Sequence, residues 1–99
     1  MLSKYSERRK MMKNSLTNTV GMNIFILRRM KKMSRTDLCE KARISTQTLN
    51  KIEQGEGNPT LITLHTIARA LGVNVSTLFV EQALFQIFGE ELEDEPSDN

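Results

Sequence analysis

The apolar positions along the chain fall into helical registers separated by short polar breaks. Val20, Ile24 and Leu27, then Met30 or Lys31, recur at i, i+4 and i+7, the spacing that lines side chains along one face of an α-helix. The pattern predicts a first helix with Asn18 or Thr19 as its N-cap and an end near Lys32. Ser34 with Asp37 three residues later has the form of a capping box, in which the hydroxyl satisfies free backbone N–H groups and the carboxylate sits at the positive end of the helix dipole. A short second helix over 35–42 should follow. Ser45 repeats the start signal, Leu49 and Ile52 stand three apart, and Gly55 comes directly after, where a left-handed cap costs little; this predicts a third helix over 46–54. Asn58-Pro59 drives the chain out of helical geometry and Thr60 can cap, after which Leu61, Leu64, Ile67, Ala68 and Leu71 run at helical spacing to Gly72. Ser76 opens an expected fifth helix, in which Leu78, Phe79, Val80, Ala83, Leu84, Ile87 and Phe88 are too many apolar groups for an isolated surface helix. No segment alternates apolar and polar over strand length, and no repeat of 20 to 50 residues is visible. The expected fold is all-α, a compact five-helix domain.

With 99 residues the chain has the size of one domain. Only 38% of the residues are apolar, with no Trp, one Tyr and four Phe, so the core must be small and aliphatic. Residues 1–17 are basic and lack apolar periodicity, and are read as a mobile arm. Residues 18–80 form the folded domain, 81–92 a C-terminal helical extension and 93–99 an acidic disordered tail. Met11, Met12 and Met22 each offer an alternative start. The lone cysteine, Cys39, excludes an internal disulfide, and with His65 as the single histidine there is no zinc ligand set. No metal and no cofactor are expected. No apolar run approaches the roughly 20 residues that span a bilayer, and the basic N-terminus has no apolar stretch behind it. A cytoplasmic protein without a membrane partner is expected.

Charge changes the picture once it is divided along the chain. From Met1 to Val20 five basic residues stand against one acidic, and from Gly21 to Gly55 eight stand against three. After Gly55 only Arg69 stands against eight acids. A basic first half suits a polyanionic partner, and an acidic C-terminus suits the face turned away from it.

The two short capped helices joined by a tight turn are the strongest functional signal. Leu38, Cys39 and Ala42 on the first, Ile44 in the turn, and Leu49 and Ile52 on the second must converge, because helices crossing at a steep angle need small residues at the crossing and aliphatics around it. Cys39 is thereby read as a small core residue, not a redox sensor. Thr46, Gln47, Asn50 and Lys51 are left facing outward, side chains of the types that pair with base edges or phosphates.

From Val20 to Phe79 the chain resembles the lambda-repressor-like, Cro/repressor (XRE) class of helix-turn-helix DNA-binding domains. The resemblance is carried by Val20-Gly21, Arg28, Ser34 with Leu38, Ser45, Ile52-Glu53 with Gly55, Asn58-Pro59-Thr60, and Ala70-Leu71-Gly72-Val73. It implies that Arg28 and Glu53 form an ion pair tying the first helix to the end of the third. The sequence departs from the family pattern at Arg43, a turn position usually held by Gly, where a left-handed conformation costs about 1 kcal/mol relative to Gly. Lys32 stands where Gly often ends the first helix, and Arg35 where Gln commonly begins the second. All three departures add positive charge beside the expected DNA.

These readings lead to the expectation of a sequence-specific, double-stranded DNA-binding transcriptional regulator of bacterial or phage type. Thr46, Gln47, Asn50 and Lys51 are assigned to base edges. Arg35, Arg43, Ser45, Thr48, Asn58 and Thr60 are assigned to phosphates. One recognition helix reads few base pairs, so a homodimer on a two-half-site operator is expected, with Val80, Leu84, Ile87 and Phe88 as its interface stripe. Phe25 and Ile26, on the side of the first helix not needed for the core, can pack against that stripe. The same patches can instead bury each other inside one monomer. A reading from a different class is an antitoxin that holds a toxin and autoregulates through DNA. An enzyme is not expected: His65 has no titratable partner in the pattern, and there is no nucleophile and base pair or Gly-rich phosphate loop.

Overall fold

The polar breaks become helix ends in the computed structural model of the chain, which describes residues 16–81. Helix α1 spans Leu16–Met30, α2 Arg35–Ala42, α3 Thr46–Glu53 and α4 Leu61–Leu71, and a 3-10 turn, Val75–Phe79, closes the order. No strand occurs among the described residues. The capping box is formed: Ser34 Oγ accepts from Asp37 N at 3.0 Å and Asp37 Oδ2 accepts from Ser34 N at 3.1 Å. Ser45 and Thr60 cap α3 and α4 in the same way, accepting from Thr48 N and Thr63 N.

The four helices of the described residues stop by one device. An N–H two or three residues past the helix bonds back to a carbonyl five residues earlier: Met33 to Arg28 at 3.0 Å, Ile44 to Cys39 at 3.1 Å, Glu56 to Lys51 at 2.8 Å and Val73 to Ala68 at 3.0 Å. Each of these ends needs one left-handed residue in between. Gly55 and Gly72 fill two of them at φ 78° and 77°, whereas Lys32 and Arg43 fill the other two at φ 57° and 60°. Met33, Ile44 and Val73, which follow three of these turns, pack against the core, and this apolar clasp holds the strained residue in place.

The core is one cluster of Val20, Ile24 and Leu27 from α1, Leu38, Cys39 and Ala42 from α2, Leu49 and Ile52 from α3, Leu64, Ile67, Ala68 and Leu71 from α4, and Leu78 from the turn. Helix α1 packs against α3 and the 3-10 turn, and α4 against α2 and the same turn.

Four expectations require correction. Helix α1 begins at Leu16, earlier than the Asn18 or Thr19 cap, because its first turn is fixed by tertiary polar contacts that leave no apolar trace: Thr17 Oγ1 donates to Gly55 O at 3.1 Å, and Asn18 is buried against Gly55. Residues 76–79, expected to open a fifth α-helix, form instead part of a 3-10 turn, and the rest of that expected helix from residue 82 on lies outside the described residues. Asn23, buried in α1, donates through Nδ2 to Leu78 O at 2.9 Å and Val80 O at 2.6 Å. Those carbonyls are held sideways, and the chain turns with i to i+3 bonds, leaving Val80 extended. Leu61, counted on the apolar face of α4, is 69% exposed on the first turn. Ile26, assigned to the side of α1 left over from the core, is fully buried, while Phe25 is half-buried. Ala83, Leu84, Ile87 and Phe88, the arm up to residue 15 and the tail lie outside the described residues.

Gly21 sets the distance between α1 and α3. A Cβ there would overlap the Ile52 carbonyl oxygen and stand 3.0 Å from the Glu53 carbonyl oxygen. Intrinsic helix propensity favours Ala over Gly by about 1 kcal/mol, but backbone carbonyls cannot swing aside as a flexible side chain would. Gly21→Ala is therefore expected to destabilise by about 1 to 3 kcal/mol, the usual cost of overpacking, and urea unfolding monitored by circular dichroism measures it.

Candidate nucleic-acid interface

Helix α3 divides cleanly by exposure. Leu49, Ile52 and Glu53 are buried, while Thr46, Gln47, Thr48, Asn50 and Lys51 are exposed. Thr46, Gln47, Asn50 and Lys51 therefore share one outward face, as the i, i+1, i+4, i+5 spacing requires. Among the described residues, none of these four side chains makes a hydrogen bond or ion pair. Ser45 and Thr48 differ. Ser45 Oγ donates to Thr48 Oγ1 at 2.8 Å, so both hydroxyls complete the cap at the start of the helix while staying on the surface.

Towards its C-terminal end this face runs into a shallow groove of about 270 Å³, lined by Thr48 and Lys51 of α3 together with Asn58, Pro59, Thr60 and Thr63. The structure thus brings Thr48 and Lys51 together with Asn58 and Thr60, across the loop that follows α3, all of them residues assigned to base edges or phosphates. Arg43 is exposed in the turn between α2 and α3. Val80 is exposed at the end of the 3-10 turn, and Leu84, Ile87 and Phe88, the rest of the expected dimer stripe, lie outside the described residues.

Behind this surface lies a buried charge cluster. Arg28 is 1% exposed and Glu53 7%. Arg28 Nε donates to Glu53 Oε2 at 2.8 Å and Arg28 Nη2 to Glu53 Oε1 at 3.2 Å, the two-pronged geometry that suits a guanidinium and a carboxylate. Arg28 Nη1 also donates to Met33 O at 3.1 Å, and the Phe25 ring lies 5.6 Å from the guanidinium carbon. A third member was not visible in the sequence: Arg35 Nε donates to Glu53 Oε1 at 3.2 Å. Arg35, expected on phosphate alone, is thus also an internal ligand of Glu53. Asn23 was missed as well. Its signal was a short amide side chain inside an apolar run, a poor helix former that earns its place only through specific hydrogen bonds.

Cys39 lies beside the cluster. Burial pushes its thiol above the ordinary value, the Glu53 carboxylate pushes in the same direction, and Arg28 and Arg35 oppose them. The result is a neutral thiol packed as a small apolar group, in keeping with its place at the helix crossing. His65 is exposed on α4. Among the described residues no group of three His, Cys, Asp or Glu side chains is placed to hold a metal ion, and no helix is long and apolar enough to cross a membrane.

Two short capped helices joined by a tight turn, a polar outward face on the second and a buried arginine-glutamate pair behind it define a helix-turn-helix domain of the Cro/repressor (XRE) class. Comparison with known proteins agrees. The helix-turn-helix family model matches residues 24–78, and the chain belongs to that family. Over 68 residues it is 40% identical to the immunity repressor protein of Bacillus phage phi105, covering 69% of this chain and 47% of the relative, so the chain spans about half the length of that protein. It is 42% identical over 55 residues to an uncharacterized HTH-type transcriptional regulator, y4dJ, of Sinorhizobium fredii, covering 56% of this chain and 71% of the relative. The restriction-modification controller protein C.AhdI from Aeromonas hydrophila superposes with a TM-score of 0.62 over 64% of this chain and 96% of its own at 24% identity, a likeness of fold.

The buried cluster makes a direct prediction. Replacing Glu53 by Gln leaves the Arg28 charge buried without its counter-ion, and breaking such a pair costs about 3 to 5 kcal/mol, a large share of a small domain's stability. Thermal and urea unfolding of Glu53→Gln should show a loss of this size, whereas the joint change Arg28→Met with Glu53→Leu should lose much less than the two single changes added together.

Proposed function

We propose that the chain is a sequence-specific, double-stranded DNA-binding transcriptional regulator that acts as a homodimer on an operator of two half-sites. The observation that carries the reading is the outward face of α3, whose four polar side chains make no hydrogen bond or ion pair among the described residues and which continues into the groove at Asn58 and Thr60. An α-helix fits the major groove of B-form DNA, where each base pair presents a distinct pattern of donors and acceptors. Gln47 and Asn50 carry amides of the kind that pair with adenine, Lys51 an ammonium of the kind that pairs with guanine, and Thr46 a hydroxyl that serves either. Arg43, Ser45, Thr48, Asn58 and Thr60, with Arg35, would contact phosphates on either side and fix the register of the helix without reading sequence.

One eight-residue helix reads few base pairs, and this is the argument for two copies. Two-fold dimers set their recognition helices about 34 Å apart on one face of the duplex. Exposed Val80 leads into the sequence stripe of Leu84, Ile87 and Phe88, which supplies apolar area for such a dimer. The relationship to a phage immunity repressor supports a repressor among the possible regulators.

Selecting bound sequences from a random duplex library tests the reading: two inverted copies of a short motif at a fixed spacing are expected, and an enrichment with no motif would overturn sequence specificity. Gln47→Ala and Lys51→Ala should each lose about 1 to 3 kcal/mol of discrimination at one base position, measured by competition between operator and random DNA. Equal loss on both DNAs would assign those side chains to phosphate.

Arg43 carries an opposite pair of expectations. Its left-handed conformation costs about 1 kcal/mol relative to Gly, so Arg43→Gly should melt no lower than the parent protein. It should nonetheless bind all duplexes more weakly, with a shallower dependence of log affinity on log salt.

A further inference from the structure

Helix α1 has two buried faces. Val20, Ile24 and Leu27 point into the core, as their i, i+4 and i+7 spacing requires. Met22 and Ile26, one turn apart on a different side of the helix, are 6% and 0% exposed, yet they belong neither to the core cluster nor to the apolar residues packed against it. A helix buried along its core stripe alone would leave these two side chains in water. Apolar atoms other than those of the core must lie over them.

The path of the chain says where those atoms come from. Asn23, the neighbour of Met22 and one turn before Ile26, donates through Nδ2 to Leu78 O and Val80 O, which pins the end of the 3-10 turn against this part of α1. Val80 is extended, and the described residues end at Glu81. Directly beyond stand Ala83, Leu84, Phe85, Ile87 and Phe88. At helical spacing these positions sweep an arc of about 200°, roughly twice the stripe of about 100° that one surface needs. A segment tethered this closely to the face it covers has an effective concentration of order millimolar, and closing so short a loop costs little. A free second copy of the chain competes poorly with it.

We infer that residues 82–88 of the same chain dock on the Met22 and Ile26 face of α1, which makes this segment part of the monomer's own core and leaves its other flank for a second copy. The inference goes beyond the DNA-binding reading and does not depend on it. The two meet in geometry. A segment seated on α1 ties any dimer built on its free flank to Arg28, in the last turn of the same helix, and from there through Glu53 to α3, so packing and not a loose tether would set the spacing of two recognition helices.

The test uses the full-length protein. Nuclear Overhauser contacts from the Ile26 methyl groups to the Phe85 or Phe88 rings, or to the Leu84 or Ile87 methyl groups, are expected in a uniformly labelled sample. They should be absent when labelled and unlabelled chains are mixed and only contacts between molecules are passed. Ile26→Val, the loss of one methyl group, should lower the melt by about 4 to 8 °C, independently of protein concentration. In a chain that also carries Leu84→Ser and Phe88→Ser the same change should cost much less, because the face is already open to water. Contacts seen only between molecules would put a second copy on the face and overturn the inference while favouring the dimer. No contact at all, with Ile26→Val costing the same in both backgrounds, would assign the cover to another segment and overturn it too. Contacts within one molecule, in a protein that sediments as a monomer, would uphold the inference and reject the homodimer reading instead.

Discussion

The placement of the three helices α1, α2 and α3 depends on one buried carboxylate. Glu53 stands at the last turn of α3, and through it α3 is joined to the last turn of α1 by Arg28 and to the start of α2 by Arg35. A buried ion pair gains little stability over well-packed apolar groups, because desolvation of both charges consumes most of the attraction. What it adds is geometry. The two-pronged bond, the Met33 carbonyl and the Phe25 ring fix the guanidinium in one orientation, and the rotation of α3 about its own axis is fixed with it. Gly21 makes the arrangement possible by letting α1 approach the Ile52 and Glu53 carbonyls more closely than any side chain would allow.

The helix ends complete the positioning. The same back-bonded turn ends all four helices, yet its left-handed residue is Gly in the last two and a basic residue in the first two. Lys32 and Arg43 each carry conformational strain of about 1 kcal/mol relative to Gly. Both flank α2 and both are exposed. The apolar residues that follow, Met33 and Ile44, bury themselves against the core and hold the turns closed, so the strain is offset locally by packing.

Legibility in the sequence followed the kind of interaction that fixes each element. Helices α2, α3 and α4 were readable to within a residue or two because their signals are local: Ser34, Ser45 and Thr60 as caps, Gly55 and Gly72 as stops, and aliphatics at helical spacing between them. The start of α1 was not readable, since Thr17 and Asn18 are ordered by Gly55, which lies 38 residues beyond Thr17. The 3-10 turn at Val75–Phe79, where an α-helix was expected to open, is bonded to Asn23, a single amide acting across more than 50 residues. An apolar count alone favoured a helix there. At the interface, the outward set on α3 followed from helical periodicity, and the Arg28 to Glu53 pair followed from likeness to a family. The bond from Arg35 to the same carboxylate had neither a periodicity nor a family pattern to announce it, because this chain departs from the family at that position.

Helix α3 separates the residues that hold the domain together from those that face outward. Its buried residues and its cap are engaged in holding the domain together: Leu49 and Ile52 in the core, Glu53 in the charge cluster, Ser45 and Thr48 at the helix start. Thr46, Gln47, Asn50 and Lys51 make no such bonds among the described residues, so their replacement leaves no buried group unsatisfied and should move stability by no more than about 0.5 kcal/mol. Positions free of structural duty can change without loss of the fold. The orientation in which they are presented, by contrast, is set by Gly21, Arg28 and Glu53, where a change is expensive. Rigid placement and exchangeable side chains are thus assigned to opposite faces of the same eight residues.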